Sequence, residues 1–287
     1  MVSVIIINYN TYELTKACIE SVIAHTKETH YEIILVDNAS SERDPNDFKS
    51  AFPSIKLVIS AENLGFAGGN NLGIKYAKGD LLLLLNSDTV LTEDSISKSA
   101  NAFLSAKKIG VLGCRMTFPD GKVQFTARKF RSISWELLDL FRFLLWFLPY
   151  EKRASLMLGK YFRHDKSAEA DWLNGAFFMI SKEVLNKLSE AKLDDRFFMY
   201  AEDVLWCEQI KALGYRILFF ADTTIIHINS GSTSAAKQLK LKKVMLKHEC
   251  EIMALRKGKG LYYFIFWLIF SAKENARYLI KLLFKKR

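Results

Sequence analysis

Cysteine is scarce and scattered in this 287-residue chain. Cys18, Cys114, Cys207 and Cys250 form no Cys-x-x-Cys pair and no paired Cys/His spacing. That argues against a zinc module and a disulfide framework, and it suits a reducing compartment. Long hydrophobic runs are missing too. A membrane-spanning helix takes about 20 predominantly apolar residues. Residues 133–148 are aromatic-rich but interrupted by Glu136, Asp139 and Arg142, and the apolar run 261–270 is too short. The first residues, Met1 to Asn8, lack the basic leader and cleavage site of a signal peptide and read as a strand, so a cytoplasmic chain is expected. Glycine is absent from the turn after that strand, where a dinucleotide fingerprint must stand. The glycines at 65–69 are not followed by the Lys-Ser/Thr of a phosphate-binding loop. Both nucleotide-motif readings fail.

What is present is a core-forming composition. Half the residues are hydrophobic and 13% aromatic, so disorder is excluded as a general state and one large core, or a domain with an appendage, is within reach. The net charge of +10 is unevenly placed: residues 237–287 hold 14 basic and 3 acidic side chains, a balance of +11, leaving −1 for the remainder. The expected organisation is a catalytic domain over residues 1–235 and a helical basic tail over 236–287.

The chain is organised around residues 80–90. Leu81 to Leu85 are five consecutive apolar residues without polar alternation, as in a parallel-sheet strand buried on both faces. Polarity switches abruptly at Asn86, Ser87 and Asp88. Val2 to Ile7, Ile33 to Val36 and Lys56 to Ile59 are further strands, with a helix over residues 12–25, another around Phe48, and a short one after the glycine-rich segment 63–73. This alternation predicts βαβ units and a mostly parallel sheet flanked by helices, an α/β fold of Rossmann-like type. Strand ends carrying Asn10, Asp37 and Asp88 gather polar groups beyond one sheet edge, where open α/β sheets bind ligands.

The segments Val4-Ile5-Ile6-Ile7-Asn8-Tyr9-Asn10, Val36-Asp37-Asn38-Ala39-Ser40, Asn63 to Asn71 and Leu84-Leu85-Asn86-Ser87-Asp88 stand in an order that resembles the family 2 glycosyltransferases, most closely the rhamnosyltransferase-like members that build bacterial polysaccharides. The likeness continues through Asp171 to Ala176, Arg196 to Asp203, and His227 followed by Gly231-Ser232. It covers about residues 1–234. It implies a GT-A fold, a nucleoside-diphosphate-sugar donor and an inverting transfer, in cell-surface polysaccharide synthesis, of rhamnose or a similar hexose to a hydroxyl of a lipid-linked saccharide.

The resemblance also implies roles. Asp37 contacts the nucleobase, Asn10 helps hold the nucleotide, and Asn71 belongs to the donor pocket. Asn86 and Asp88 stand where relatives carry an Asp-x-Asp metal motif, with Asn at its first position. His227 completes the site for a divalent metal, Mg²⁺ or Mn²⁺. Trp172 and Gly175 line the sugar pocket, and Asp203 is the general base. Several of these residues have a plainer reading, and Asn86 to Asp88 suit a polar turn after the strand. Asp37 suits an Asx turn and Asn71 a helix cap. His227 suits packing between Ile226 and Ile228, Trp172 a buried core position, and Glu202-Asp203 a helix N-terminus. Relatives usually carry acidic and arginine positions where Leu205 and Gln209 stand, which leaves acceptor specificity open.

In the tail, Lys273, Arg277 and Lys281 recur every four residues on one side of a helix, which suits an anionic membrane interface and a peripheral location on the inner face of the plasma membrane. Packing on the protein's own core, or on a second subunit in a homo-oligomer, is the alternative. Nucleic acid is not expected, since no binding motif accompanies the charge. A catalytically inactive, glycosyltransferase-like binding or scaffold subunit is the rival function, and Asn86 keeps it open. A sugar-nucleotide pyrophosphorylase lacks its glycine- and arginine-rich loop here.

Overall fold

A computed structural model of the chain describes residues 1–228 and 235–285; of residues 235–240, 242, 278, 279 and 281–285 it describes the backbone alone. In chain order the elements are β1 (Val2–Asn8), α1 (Tyr12–His25), β2 (Tyr31–Asp37), α2 (Asn46–Ala51), β3 (Lys56–Ile59), α3 (Gly65–Ile74), β4 (Leu81–Asn86), β5 (Thr89–Leu91), α4 (Ser95–Ser105), β6 (Ile109–Thr117), β7 (Val123–Gln124), α5 (Ile133–Leu140) and α6 (Tyr150–Met157). They continue as β8 (Ala168–Ala170), β9 (Phe177–Ser181), α7 (Lys182–Leu185), α8 (Glu202–Ala212), β10 (Arg216–His227), α9 (Ala235–Lys257) and α10 (Leu261–Lys285). These fall into two compact units. The first is Met1–Arg128 with Arg163–Gly231, and the second is Lys129–Phe162 with Ser232–Arg287. The aromatic-rich segment 133–148 therefore belongs with the C-terminal helices.

In the first unit one sheet runs β3-β2-β1-β4-β9-β6-β10-β5. Its first four strands are parallel, as the alternation predicts. β9 then enters antiparallel to both β4 and β6, and β10 runs parallel to β6. The leucine run of β4 thus lies between β1 and β9, in register Val2↔Leu81 through Ile7↔Asn86 on one side. All five leucines are buried, with Cys18, Ile19 and Val22 of α1 among the residues of the main core. Each contributes about 1.5–3 kcal/mol relative to remaining in water. Where the leucines end, Asn86 starts the polar edge.

The glycine-rich segment differs from expectation: it does not precede a helix but forms one, α3. Glycine there is a matter of space. A Cβ at Gly73 would stand 2.6 Å from Ile5 Cγ2 and 3.0 Å from Val36 Cγ2, and one at Gly69 would stand 3.0 Å from Ile7 Cδ1. The helix lies so close on β1 and β2 that only hydrogen fits. The sequence accepts a helix-propensity cost of about 1 kcal/mol per glycine to bring α3 onto the strand ends.

The second unit has an inverted distribution of charge. Lys273 is buried and ion-paired with Glu136 and, at 2.8 Å, with Asp139, while Arg277 reaches the same Asp139 oxygen at 2.8 Å. Arg131 adds contacts to Glu136 and Glu249. Burial pushes the Asp139 carboxyl up, but Lys273 and Arg277 outweigh that and hold it below the usual carboxylate range. The basic stripe expected to face outward is corrected at two of its three positions. Lys273 and Arg277 face α5, because the carboxylates interrupting the aromatic segment are their partners. The Lys281 side chain lies outside the described residues.

Candidate active site

The site is built from the carboxyl ends of β1, β2 and β4 upward. Asn8, the last residue of β1, pairs with Asp37, the last of β2. Its Nδ2 donates to Asp37 Oδ1 at 2.8 Å and to Ser40 Oγ at 2.9 Å, and its Oδ1 accepts from Thr15 Oγ1 at 2.9 Å and Thr11 Oγ1 at 3.2 Å. Asp37 Oδ2 accepts the Ser40 N–H at 3.0 Å, and the residue is only 1% exposed. A carboxylate this deep is tolerated because donors meet both oxygens. Asn10 is exposed, with a left-handed φ of 53°, and its Oδ1 accepts the N–H groups of Ser41 (2.8 Å) and Glu42 (3.2 Å). It shapes the loop that follows Asp37.

From Thr11 the network crosses to the central strand: Thr11 Oγ1 and Ser87 Oγ are 3.3 Å apart. Beside Ser87, Asp88 meets His227 because antiparallel pairing of β5 with β10 sets Thr89 opposite His227, and the Ile228 N–H donates to the Asp88 carbonyl. Asp88 Oδ1 lies 3.2 Å from His227 Nε2. Gln124 of β7 orients the ring. Its Nε2 donates to the His227 carbonyl at 2.6 Å, which leaves Oε1 to accept from Nδ1–H at 2.8 Å. In the neutral ring the Nε2 lone pair then faces a carboxylate oxygen, an arrangement that a cation between them stabilises. Adjacent ligands of an octahedral ion with bonds of about 2.1 Å stand roughly 3 Å apart, so this pair fits a divalent metal. Among the described residues no group of three or more His, Cys, Asp or Glu side chains gathers. The protein thus offers a carboxylate and an imidazole, and Asn86, half-buried, adds no charge.

On the other side of β4, the Asn86 N–H donates to the Ala176 carbonyl at 3.0 Å, and the Gly175 N–H donates to Asp203 Oδ2 at 3.1 Å. Asp203 Oδ1 accepts the Val204 N–H at 2.9 Å, in the first turn of α8. Tyr200 and Ala201, with φ of 73° and 70°, are two consecutive left-handed non-glycine residues at the entry to that helix, a costly conformation found at functional turns. Gly175 is buried, and a Cβ there would stand 3.0 Å from Phe66 and 3.7 Å from Asp203 Cβ. Trp172 is half-buried, its ring under the Arg128 guanidinium at 5.4 Å.

One position, Asn71, differs in character from the rest. The Asn71 amide is engaged on both atoms by the backbone of Leu193, at 2.8 and 3.0 Å, and is buried. It ties α3 to the segment before Asp203. Gly231 and Ser232 lie outside the described residues.

Sequence reasoning missed Asn8, Gln124 and the state of Glu202. Asn8 stood in plain view at the end of the first strand, where a buried asparagine beside a buried aspartate is a strong signal. Gln124, in a two-residue strand far along the chain, has no local signal. Glu202 is buried, and its Oε2 has no hydrogen-bond partner among the described residues. Burial first, and the Asp203 charge second, push its carboxyl up to about 8. Burial thus favours the neutral form of Glu202 beside Asp203.

A buried Asp37 and a half-buried Asp88 at the carboxyl ends of an α/β sheet stand where such sheets bind ligands, and sequence comparison gives the family. The profile of glycosyl transferase family 2 matches residues 3–188, and the chain belongs to that family. An O-antigen biosynthesis protein, RfbC, of Myxococcus xanthus is 26% identical over 238 residues, covering 82% of this chain and 18% of the relative. The chain thus spans about a fifth of that protein's length. An N-acetylglucosaminyl-diphospho-decaprenol L-rhamnosyltransferase of Mycobacterium tuberculosis is 21% identical over 221 residues, 72% of this chain and 69% of the relative. Among solved structures, the Pyrobaculum calidifontis mannosyltransferase PcManGT, in complex with GDP-Man and Mn²⁺, superposes with a TM-score of 0.60 at 17% identity over 94% of this chain and 68% of that one. Residues 1–349 of S. aureus TarS give 0.56 at 16% identity over 94% of this chain and 70% of that one. The fold is GT-A.

Proposed function

We propose that this glycosyltransferase moves a single sugar, rhamnose or a similar hexose, from a nucleoside-diphosphate donor to a hydroxyl of a lipid-linked saccharide, with inversion, in the synthesis of a cell-surface polysaccharide. The observation that carries the reading is a continuous line of contacts. It runs from Asp37 through Asn8, Thr11 and Ser87 to Asp88, and from Asn86 through Ala176 and Gly175 to Asp203. In this reading a nucleotide-recognising carboxylate and a diphosphate-metal position stand at neighbouring strand ends, and a base in the first turn of α8 is joined to them through Gly175. The relatives' names, O-antigen biosynthesis protein and N-acetylglucosaminyl-diphospho-decaprenol L-rhamnosyltransferase, support the sugar and acceptor classes, and the GDP-Man in the PcManGT complex supports the donor class.

In this reading Asp37 and the loop shaped by Asn10 receive the base and ribose. Asp88 and His227 hold a divalent cation, which would supply charge stabilisation to the departing diphosphate. Gly175 admits the sugar close to backbone, and Trp172 flanks the same segment. Asp203 takes the proton of the acceptor hydroxyl as that oxygen bonds to the anomeric carbon. The anomeric carbon–oxygen bond then breaks, and its electron pair leaves with the nucleoside diphosphate. Two backbone N–H groups hold the Asp203 carboxylate in place for this transfer. Direct displacement from the opposite face inverts the anomeric centre.

No helix of the described residues is long and apolar enough to cross a membrane. The reading includes peripheral attachment to the inner face of the plasma membrane through the second unit, where a lipid-linked acceptor would be presented. A thermal-shift panel of nucleoside diphosphates and their sugars, with and without Mn²⁺, tests the whole. Metal-dependent stabilisation by one nucleotide family is expected. No shift with any member at millimolar concentration contradicts the reading.

A further inference from the structure

In the second unit α10 turns apolar residues outward and its cations Lys273 and Arg277 inward. Along α10 the inward positions Tyr263, Phe266, Phe270, Lys273 and Arg277 recur every three or four residues, with Phe266, Phe270 and Lys273 buried. The outward positions are Leu261, Phe264, Ile265, Leu268, Ala272 and Ile280, all exposed, Leu261 by 75%. This stripe runs from the first turn of the helix to Ile280 without a charged residue. The turn Arg142–Phe147 of the same unit exposes Trp146 by 77% and Phe147 by 84%. A contiguous apolar stripe on a water-facing helix marks an interaction surface.

Charge identifies the partner. The second unit holds 20 Lys and Arg against 6 Asp and Glu, a net of +14, which leaves −4 for the first unit out of the chain's +10. Four of those six acids, Glu136, Asp139, Glu249 and Glu274, are engaged with Arg131, Lys273 and Arg277 inside the unit. That leaves Glu151 and Glu251 against the other seventeen bases. A second copy of this chain would bring a like charge of the same size to the contact. An anionic bilayer surface brings the opposite charge and an apolar layer beneath it.

We propose that the outward face of α10 seats the protein in the interfacial layer of an anionic membrane, with the helix in the membrane plane. Leu261, Phe264, Ile265 and Leu268 enter the acyl boundary, and the unit's excess of lysine and arginine favours the anionic headgroups. Lys273 and Arg277 are not the lipid contacts. They fasten α10 to α5, so that the helix turns its apolar side outward. This rests on the peripheral-membrane part of the function proposed above and names the surface that performs it.

The test is sedimentation of the full chain with sucrose-loaded vesicles of phosphatidylglycerol and phosphatidylethanolamine, and of phosphatidylcholine alone. Wild type should pellet with the anionic vesicles and not with the neutral ones. I265E/L268E should lose at least tenfold in partitioning while keeping its helical circular dichroism and melting temperature. I265L/L268M should bind as wild type does, which separates surface apolarity from fold. If wild type pellets and I265E/L268E pellets equally, this surface is wrong while peripheral attachment stands. If wild type does not pellet, peripheral attachment itself fails. If I265E/L268E instead converts a wild-type dimer to a monomer without changing vesicle binding, the occupant is a second copy and the proposal is overturned.

Discussion

His227 Nε2 stands 3.2 Å from Asp88 Oδ1, with Gln124 holding the far side of the ring through its Oε1 and the His227 carbonyl through its Nε2. The three residues come from β10, the turn between β4 and β5, and β7, so no local stretch of sequence announces the group. Its consequence is graded. Asp88→Ala should abolish metal-dependent nucleotide binding with the fold intact, and His227→Ala should weaken it less. Gln124→Leu should cost about 10- to 100-fold in Mn²⁺ affinity, the usual effect of removing a partner that orients a ligand. Titration calorimetry of the nucleotide at varied Mn²⁺ measures all three. Unchanged affinity in Asp88→Ala at saturating metal would remove the assignment.

Glu202 makes stability depend on pH. Its carboxyl ionises near 4.5 when unfolded and at about 8 when folded, raised by burial and then by the Asp203 charge. Between those values the folded chain holds a proton that the unfolded chain has released, so stability falls as pH rises. The contribution is complete below pH 4.5 and gone above about pH 8, and amounts to a few kcal/mol in order of magnitude. Glu202→Gln stays neutral throughout. Its melting temperature should therefore gain on wild type between pH 6 and pH 9. A wild-type-minus-Gln difference that is flat over this range would show Glu202 to be ionised in the folded state.

Glycine in α3 sets two magnitudes against each other. Gly73→Ala gains about 1 kcal/mol of helix propensity. Its Cβ, however, would stand 2.6 Å from Ile5 and 3.0 Å from Val36, and such overpacking costs typically 1–3 kcal/mol. Net destabilisation is expected, visible as a lower urea midpoint. Gly65→Ala should be worse: φ is +71° and the new carbon would stand 2.2 Å from the Phe198 carbonyl oxygen. A stabilised Gly73→Ala would show that α3 can lift off the sheet at no cost.

Removing Lys273 should take one cation from each of two buried carboxylates. Lys273→Met leaves Glu136, whose side chain is 0% exposed, to Arg131 alone and Asp139, at 4%, to Arg277 alone, a loss bounded above by the roughly 3–5 kcal/mol of a fully broken buried pair. The midpoint for loss of the helical signal in urea should fall well below wild type. An unchanged midpoint would mean that the cluster contributes nothing to holding α10 on α5.

The parallel half of the sheet was legible in the sequence because three of its four strands, β1, β2 and β4, are short apolar runs closed by Asn or Asp, and α1 over 12–25 and β3 over 56–59 are found at those bounds. β9 was not, since nothing in residues 177–181 distinguishes a strand inserted antiparallel between β4 and β6 from another parallel one. Asp37, Asp88, Gly175 and Asp203 could be named because each sits in a motif. Asn8 and Gln124 act through side chains distant in sequence. The tail misled for the same reason: Lys273 and Arg277 have the spacing of a solvated stripe, and only folding shows that Glu136 and Asp139, more than a hundred residues earlier, neutralise them.

The central claim is that Asp203 removes the acceptor proton, and Asp203→Asn addresses it most directly. The substitution keeps the size of the side chain and an oxygen for the Gly175 or Val204 N–H, but removes the proton acceptor. Positioned base catalysis contributes about 10²–10⁴-fold. Sugar transfer from the donor selected by thermal shift should fall by that range, with donor and metal affinity and melting temperature close to wild type. Glu202→Gln should lose far less, since the base is assigned to Asp203 and burial already favours the neutral form of Glu202. Transfer by Asp203→Asn at a near wild-type rate, or a loss that only tracks a lowered melting temperature, would contradict the account.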